Sequence, residues 1–163
     1  MYNRESTRHK LLDEVVTFVR AARRIPGVQR IALIGSLTTD KADPKDADLL
    51  VTIMNDMDLS QLATRARKLQ GHAQNVGRGG EVFLADSQHH YLGRICPWKR
   101  CGLGVRVRCD ALHCGRRPYL HDDLEAVKLP SALIRKPPLV LWPEVVANAP
   151  LPEDVEERVL QCL

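Results

Sequence analysis

The chain predicts an α+β fold, α/β in looser usage, with a mixed, twisted sheet and helices packed on one side. Three observations lead there. Apolar residues recur at three- and four-residue spacing over residues 6–25 and 58–76, the period of a helix with one buried face. Between and after them lie short apolar stretches of strand length. Composition is ordinary for a globular domain, with 163 residues, 44 % hydrophobic and 27 % charged. That length can bury a real core, and residues 1–163 read as a single domain without internal repeat or low-complexity tract.

Taken in order, Leu11, Leu12, Val15, Val16, Val19, Ala22 and Ile25 form the stripe of the first helix. Ser6 or Thr7 can cap it, and Pro26-Gly27 stops it. Arg30 to Ser36 reads as a buried strand ending at Gly35, followed by a polar loop from Leu37 to Lys45. Asp46 to Met54 is the second strand. Ala47, Leu49, Val51 and Ile53 point one way, while Asp46 and Asp48 point the other. Leu59, Leu62, Ala63, Ala66, Leu69 and Ala73 form the stripe of a second helix, opened by Asp58 and Gln61 as a capping box. Gly77-Arg78-Gly79-Gly80 reads as a turn and Glu81 to Ala85 as a short strand. Tyr91 to Ile95 and Leu103 to Ala111 suit a hairpin. Asp122 to Leu129 suits a short helix, Leu139 to Trp142 a strand, and Pro152 to Leu160 a terminal helix.

Aromatic residues make up 4 % of the chain, too few for a platform of stacked bases. No apolar run approaches a membrane span, and residues 1–10 lack the apolar core of a signal peptide. The expected compartment is the cytoplasm, where five cysteines imply reduced thiols, a metal site or packing rather than disulfides. Charge is uneven. Ser87 to His121 carries seven Arg and Lys against Asp110 alone, while the net charge of the whole chain is +4. Such a block suits an anion, such as a phosphate, a nucleotide or a nucleic acid, or a protein partner.

The chemistry concentrates in Ile34-Gly35-Ser36, nine residues, then Asp46-Ala47-Asp48-Leu49. Gly35 ends a strand and lets a phosphate approach the backbone. Ser36 adds a hydroxyl there. The next strand sets two carboxylates on one face, about 7 Å apart along the chain. Such a pair suits hard cations, since magnesium takes one or two carboxylates plus water and substrate phosphates. Two ions about 4 Å apart can hold both oxygens of a phosphoryl or nucleotidyl displacement.

This pattern resembles the nucleotidyltransferase fold of the DNA polymerase β superfamily, and in particular its small, stand-alone, minimal type. The resemblance spans about residues 6–115, leaving 116–163 as a C-terminal extension. It implies Mg-dependent transfer of a nucleoside monophosphate from an NTP, with ATP the first choice, to an acceptor that is a small molecule, a protein or a nucleic acid. Asp46 and Asp48 would ligate two Mg²⁺, or Mn²⁺ in their place, and Gly35 and Ser36 would contact the β,γ-phosphates. The family uses a third carboxylate on a later strand, for which the candidate is Asp110. It would share the metal and act as base toward the acceptor. Glu81 and Asp86 compete for that role but sit at strand ends. Arg116 and Arg117, after the strand of Asp110, could grip the triphosphate. Larger members carry further helical domains that choose the acceptor, and little of this chain follows Asp110. Two other readings remain open: a degenerate domain that binds a nucleotide or a partner, and a basic nucleic-acid-binding protein.

A second cluster holds His89-His90, Cys96, Cys101, Cys109, His113 and Cys114. The two pairs, Cys96-x4-Cys101 and Cys109-x4-Cys114, invite a structural zinc. An extended strand over 103–111 argues against it, because Cys101 and Cys114 would then stand roughly 40 Å apart. A local Cys96–Cys101 pair, or plain thiols, are the alternatives.

Overall fold

A computed structural model describes residues 5–96, 117–122 and 127–163. Helix α1 (Thr7–Ala22) leads into strand β1 (Val28–Ile34) and a 3-10 turn (Gly35–Thr38). Then come β2 (Asp46–Ile53), α2 (Ser60–Gln74), β3 (Gly79–Ala85), β4 (Tyr91–Ile95) and β5 (Leu120–His121). The chain closes with α3 (Ser131–Arg135), β6 (Leu139–Trp142), β7 (Val146–Ala147), α4 (Glu153–Arg158) and a final 3-10 turn. The strands form one sheet in the order β5-β4-β3-β2-β1-β6-β7. β2 and β3 run parallel, joined by α2, and the other adjacent pairs are antiparallel. The α+β class is therefore as expected, with a mixed sheet.

The core explains the layering. Leu11, Leu12, Val15, Val19 and Ala22 of α1, and Leu62, Ala63, Leu69 and Ala73 of α2, pack on Leu49, Val51 and Ile53 of β2 and on Val82 and Leu84 of β3. Full burial of such a side chain contributes roughly 1.5–3 kcal/mol. Val155 of α4 joins the same layer. The opposite sheet face carries a smaller cluster, Ala32, Ile34, Leu50, Phe83 and Ala85, covered by Ile134 of α3. So three helices take one side, and the single turn of α3 takes the other.

The Ser6 cap forms as expected, whereas the capping box of Asp58 and Gln61 does not: α2 starts at Ser60 after Leu59, and Asp58 stands one position early. The Ser6 hydroxyl accepts from the His9 amide at 3.1 Å, and the Asp58 carboxylate accepts from the Ser60 amide at 2.9 Å. Three further expectations need correction, and a fourth, the hairpin, is described on one side alone. The segment after Gly35 is not a plain polar loop, because Leu37 and Thr38 are buried in the 3-10 turn. Gly79 and Gly80 open β3 rather than close a turn. β4 pairs with β3 and β5; the hairpin partner expected at 103–111 lies outside the described residues. Residues 127–130 are not helical, and the chain from Ser131 forms α3 instead. Pro130 stands before that turn with an extended backbone, as proline favours at a helix start.

Candidate functional site

The parallel register builds the site. Asp46 lies opposite Gly79, Ala47 opposite Gly80, and Asp48 opposite Glu81. In-register residues of neighbouring strands share a face, so Asp46, Asp48 and Glu81 stand on the face opposite α1 and α2. Asp46 is exposed, while Asp48 and Glu81 are half-buried. Ile34, Leu50 and Phe83 form the apolar surface beside them.

Two glycines make room for the two aspartates. Gly35 has a φ of +76°, and a β-carbon there would fall 2.6 Å from Asp48 Oδ2. A β-carbon on Gly79 would collide with Asp46 Oδ1. Each aspartate thus lies against a bare α-carbon, which explains the Gly-Ser step after β1 and the glycine that opens β3.

The loop between Ser36 and Asp46 is held at both ends. The Thr38 hydroxyl donates to the Gly35 carbonyl at 2.7 Å, and the Thr39 hydroxyl donates to the Ser36 carbonyl at 2.8 Å. Buried Arg8 donates to the carbonyls of Leu37 at 3.1 Å and Lys41 at 3.0 Å. The same guanidinium grips Asp154 of α4 through two bonds, of 2.6 and 3.0 Å. Arg78 donates to the Pro44 carbonyl at 3.0 Å and pairs with Asp43.

The electrostatics single out Asp48. Its carboxyl is pushed up to about 7, first by burial and then by the charges of Asp46 and Glu81. A bound cation would remove both penalties. The donors are hard carboxylate oxygens, one of them solvent-facing, a chemistry that fits Mg²⁺ or Mn²⁺. Among the described residues no group of three or more Asp, Glu, His or Cys side chains is placed to hold a metal ion. Magnesium does not require one, since it completes its shell with water and substrate oxygens.

Glu81 is not at a strand end, as its sequence position suggested. It is the third residue of β3 and accepts from Arg94 of β4 at 3.2 Å. Asp86 forms the turn between β3 and β4. Its Oδ1 accepts from the amides of Gln88 and His90, each at 2.9 Å. Arg117 reaches the Met57 carbonyl at 3.5 Å, in the segment leading to α2, rather than either aspartate. Cys96 is buried. Asp110, Arg116, Cys101, Cys109 and Cys114 lie outside the described residues, and with them the third-carboxylate role of Asp110 and the zinc arrangement.

Sequence reasoning overlooked Gly79, Arg8 and Arg78. The usable signal for Glu81 was the alternation of Glu81, Phe83 and Ala85 against Val82 and Leu84, which continues the pattern of β2.

No helix among the described residues is long and apolar enough to cross a membrane. Compared with curated proteins and with solved structures, the chain finds no match. Against family models it matches over residues 1–103, a span that contains Gly35, Asp46, Asp48 and Glu81 and ends before Asp110. With more than half of its length matched, the chain belongs to the family of unknown function DUF6932.

Proposed function

We propose that this chain is a metal-dependent nucleotidyltransferase that moves a nucleoside monophosphate from an NTP to an acceptor hydroxyl. The observation that carries the reading is the carboxylate trio Asp46, Asp48 and Glu81 on two adjoining strands, with Gly35 turned onto Asp48. Asp48 is raised first by burial and then by the neighbouring charges of Asp46 and Glu81. Arg94 of β4 offsets the charge of Glu81, while the raised Asp48 remains beside Asp46 on the same face. Magnesium or manganese bound there would neutralise the triphosphate and the leaving pyrophosphate.

The residues divide the work. Asp46 and Asp48 would hold the cation. Gly35 and Ser36 keep side-chain bulk away from the phosphates, and the loop up to Lys41 is fixed by Arg8. The acceptor oxygen forms its new bond to the α-phosphorus, the α–β bridging bond breaks, and pyrophosphate leaves with the electron pair. The acceptor's proton needs a carboxylate nearby. Glu81 stands on the same sheet face as Asp46 and Asp48, and we assign it that place.

The test is nucleotide binding with and without metal. Mg²⁺ with an NTP should raise the melting temperature, and an NTP with chelator should do so far less, because triphosphate and carboxylates repel without a cation. Asp46→Asn with Asp48→Asn should remove the metal-dependent shift. An unchanged shift in that double variant rejects the site.

A further inference from the structure

The other side of the molecule carries a second charged feature. An open cleft of about 600 Å³ runs between α1 with the residues just after it and α2, lined by Thr17, Arg20, Arg24, Gln61, Thr64 and Arg65, among others. That volume is in the range of ligand sites. Three of these side chains are arginines, and among the described residues no acid lines the cleft. All three arginines are exposed. Arg65 also lines the adjoining groove, together with Lys68, His72 and Glu14. The adjoining grooves carry acids, Glu14 on one side and Asp56 and Asp58 on the other, past Ile25 and Gln61. Glu14 pairs with His72 at 2.8 Å, and Asp13 with Arg158 at 3.2 Å. Arg20 is further oriented by donating to the Cys162 carbonyl.

We propose that this cleft binds the sugar-phosphate backbone of a nucleic acid, independently of the carboxylate site on the opposite sheet face. Guanidinium forks from two helices, with hydroxyl and amide groups between them, match successive phosphates. Phosphate contacts of this kind bind without reading sequence, consistent with a lining that lacks aromatic residues. A lipid surface fits less well. It would need exposed apolar anchors beside the charges, and the large exposed apolar residues here, Met54, Val145 and Val146, do not line the cleft.

The probe is a fluorescently labelled single-stranded RNA of mixed sequence, read by anisotropy over a salt series. The wild type should bind with a steep salt dependence. Replacing Arg20, Arg24 and Arg65 together by Ala should weaken binding at least tenfold near 100 mM salt. It should also lower the slope of log K against log salt by about 2, at roughly 0.7 for each phosphate no longer neutralised. Gln61→Glu, which adds a negative charge at an exposed position, should weaken binding in the same direction and serves if the triple variant melts early. Asp46→Asn with Asp48→Asn should bind RNA as the wild type does, so failure of this cleft and failure of the nucleotidyltransferase reading are separable. Unchanged affinity and slope in the arginine variant overturn the proposal. So does loss of binding to phosphatidylglycerol vesicles in that variant when the wild type ignores the RNA.

Discussion

Gly35 and Asp48 are in steric register: the position of a β-carbon on Gly35 lies 2.6 Å from Asp48 Oδ2, and Gly35 has a φ of +76°. The end of β1 therefore defines where one carboxylate of β2 can go. Gly79 does the same for Asp46 from the other side, with an ordinary φ. The two glycines should respond differently to alanine. Gly35→Ala adds a left-handed backbone penalty of about 1–2 kcal/mol to the displacement of Asp48, so it should lower both stability and metal affinity. Gly79→Ala displaces only the tip of an exposed side chain, so the fold should tolerate it while Mg²⁺-dependent nucleotide binding weakens. Thermal melts with and without Mg²⁺ and ATP separate the two effects. Equal stability loss in both variants would contradict this division.

Asp48 should make the metal-free protein less stable as pH rises. Its carboxyl is raised from 3.8 to about 7, so the folded state holds a proton that the unfolded state has released between those values. Stability contributed by the protonated form is complete below about pH 4 and is lost up to about pH 7. The loss is at most on the order of 1.4 kcal/mol per pH unit, and partial solvent access reduces it. Asp48→Asn should abolish this component and stabilise the metal-free protein near pH 7. Melts in chelator from pH 4.5 to 8 measure the difference between wild type and variant. A variant that melts lower at pH 7.5 would show that the aspartate supports the fold instead.

The Arg8–Asp154 clasp should couple the C-terminal helix to the loop after Ser36. Arg8 is buried and bidentate to Asp154, and it also supports Leu37 and Lys41. Asp154 is held below its ordinary value, first by the Arg8 hydrogen bond. Its contribution is therefore present above the unfolded carboxylate range and falls away as pH drops through the folded one. Asp154→Asn should destabilise by about 2–3 kcal/mol, toward the lower end for a half-broken buried pair. Arg8→Met together with Asp154→Leu should recover part of that loss. Urea unfolding of the three proteins checks the order, and an unaltered midpoint in Asp154→Asn would remove the clasp from the account.

The third carboxylate can be assigned by substitution. Glu81→Gln should reduce turnover by at least about a hundredfold, as expected for a general base. It should leave most Mg²⁺–NTP binding in place, because Asp46 and Asp48 remain. Asp110→Asn should retain activity. The reverse outcome returns the role to Asp110.

How much of this was legible in the sequence depends on the range of each interaction. Strand β2 was readable because its period-two pattern is broken on one face only, by Asp46 and Asp48. The Ser6 cap and the stripes of α1 and α2 are equally local. Glu81 was misplaced because its position depends on a parallel register across a helical crossover, which no local pattern encodes. The glycines at 79 and 80 misled for a physical reason. Glycine punctuates turns, but here Gly79 opens a strand and yields space to a side chain of the neighbouring one. Arg8 was not singled out, because its acid partner lies 146 positions away. α3, β5 and β7 are too short to leave a periodic trace.

The most direct test of the central claim is the fate of the α-phosphate. The protein should be incubated with each NTP labelled at the α or the γ position, Mg²⁺, and an extract as acceptor source. Label from the α position should appear in an acceptor while γ label leaves as pyrophosphate, and Asp48→Asn should abolish the transfer. No α-label transfer from any of the four NTPs, with Mg²⁺ or Mn²⁺, or transfer that persists in Asp48→Asn, would contradict the account.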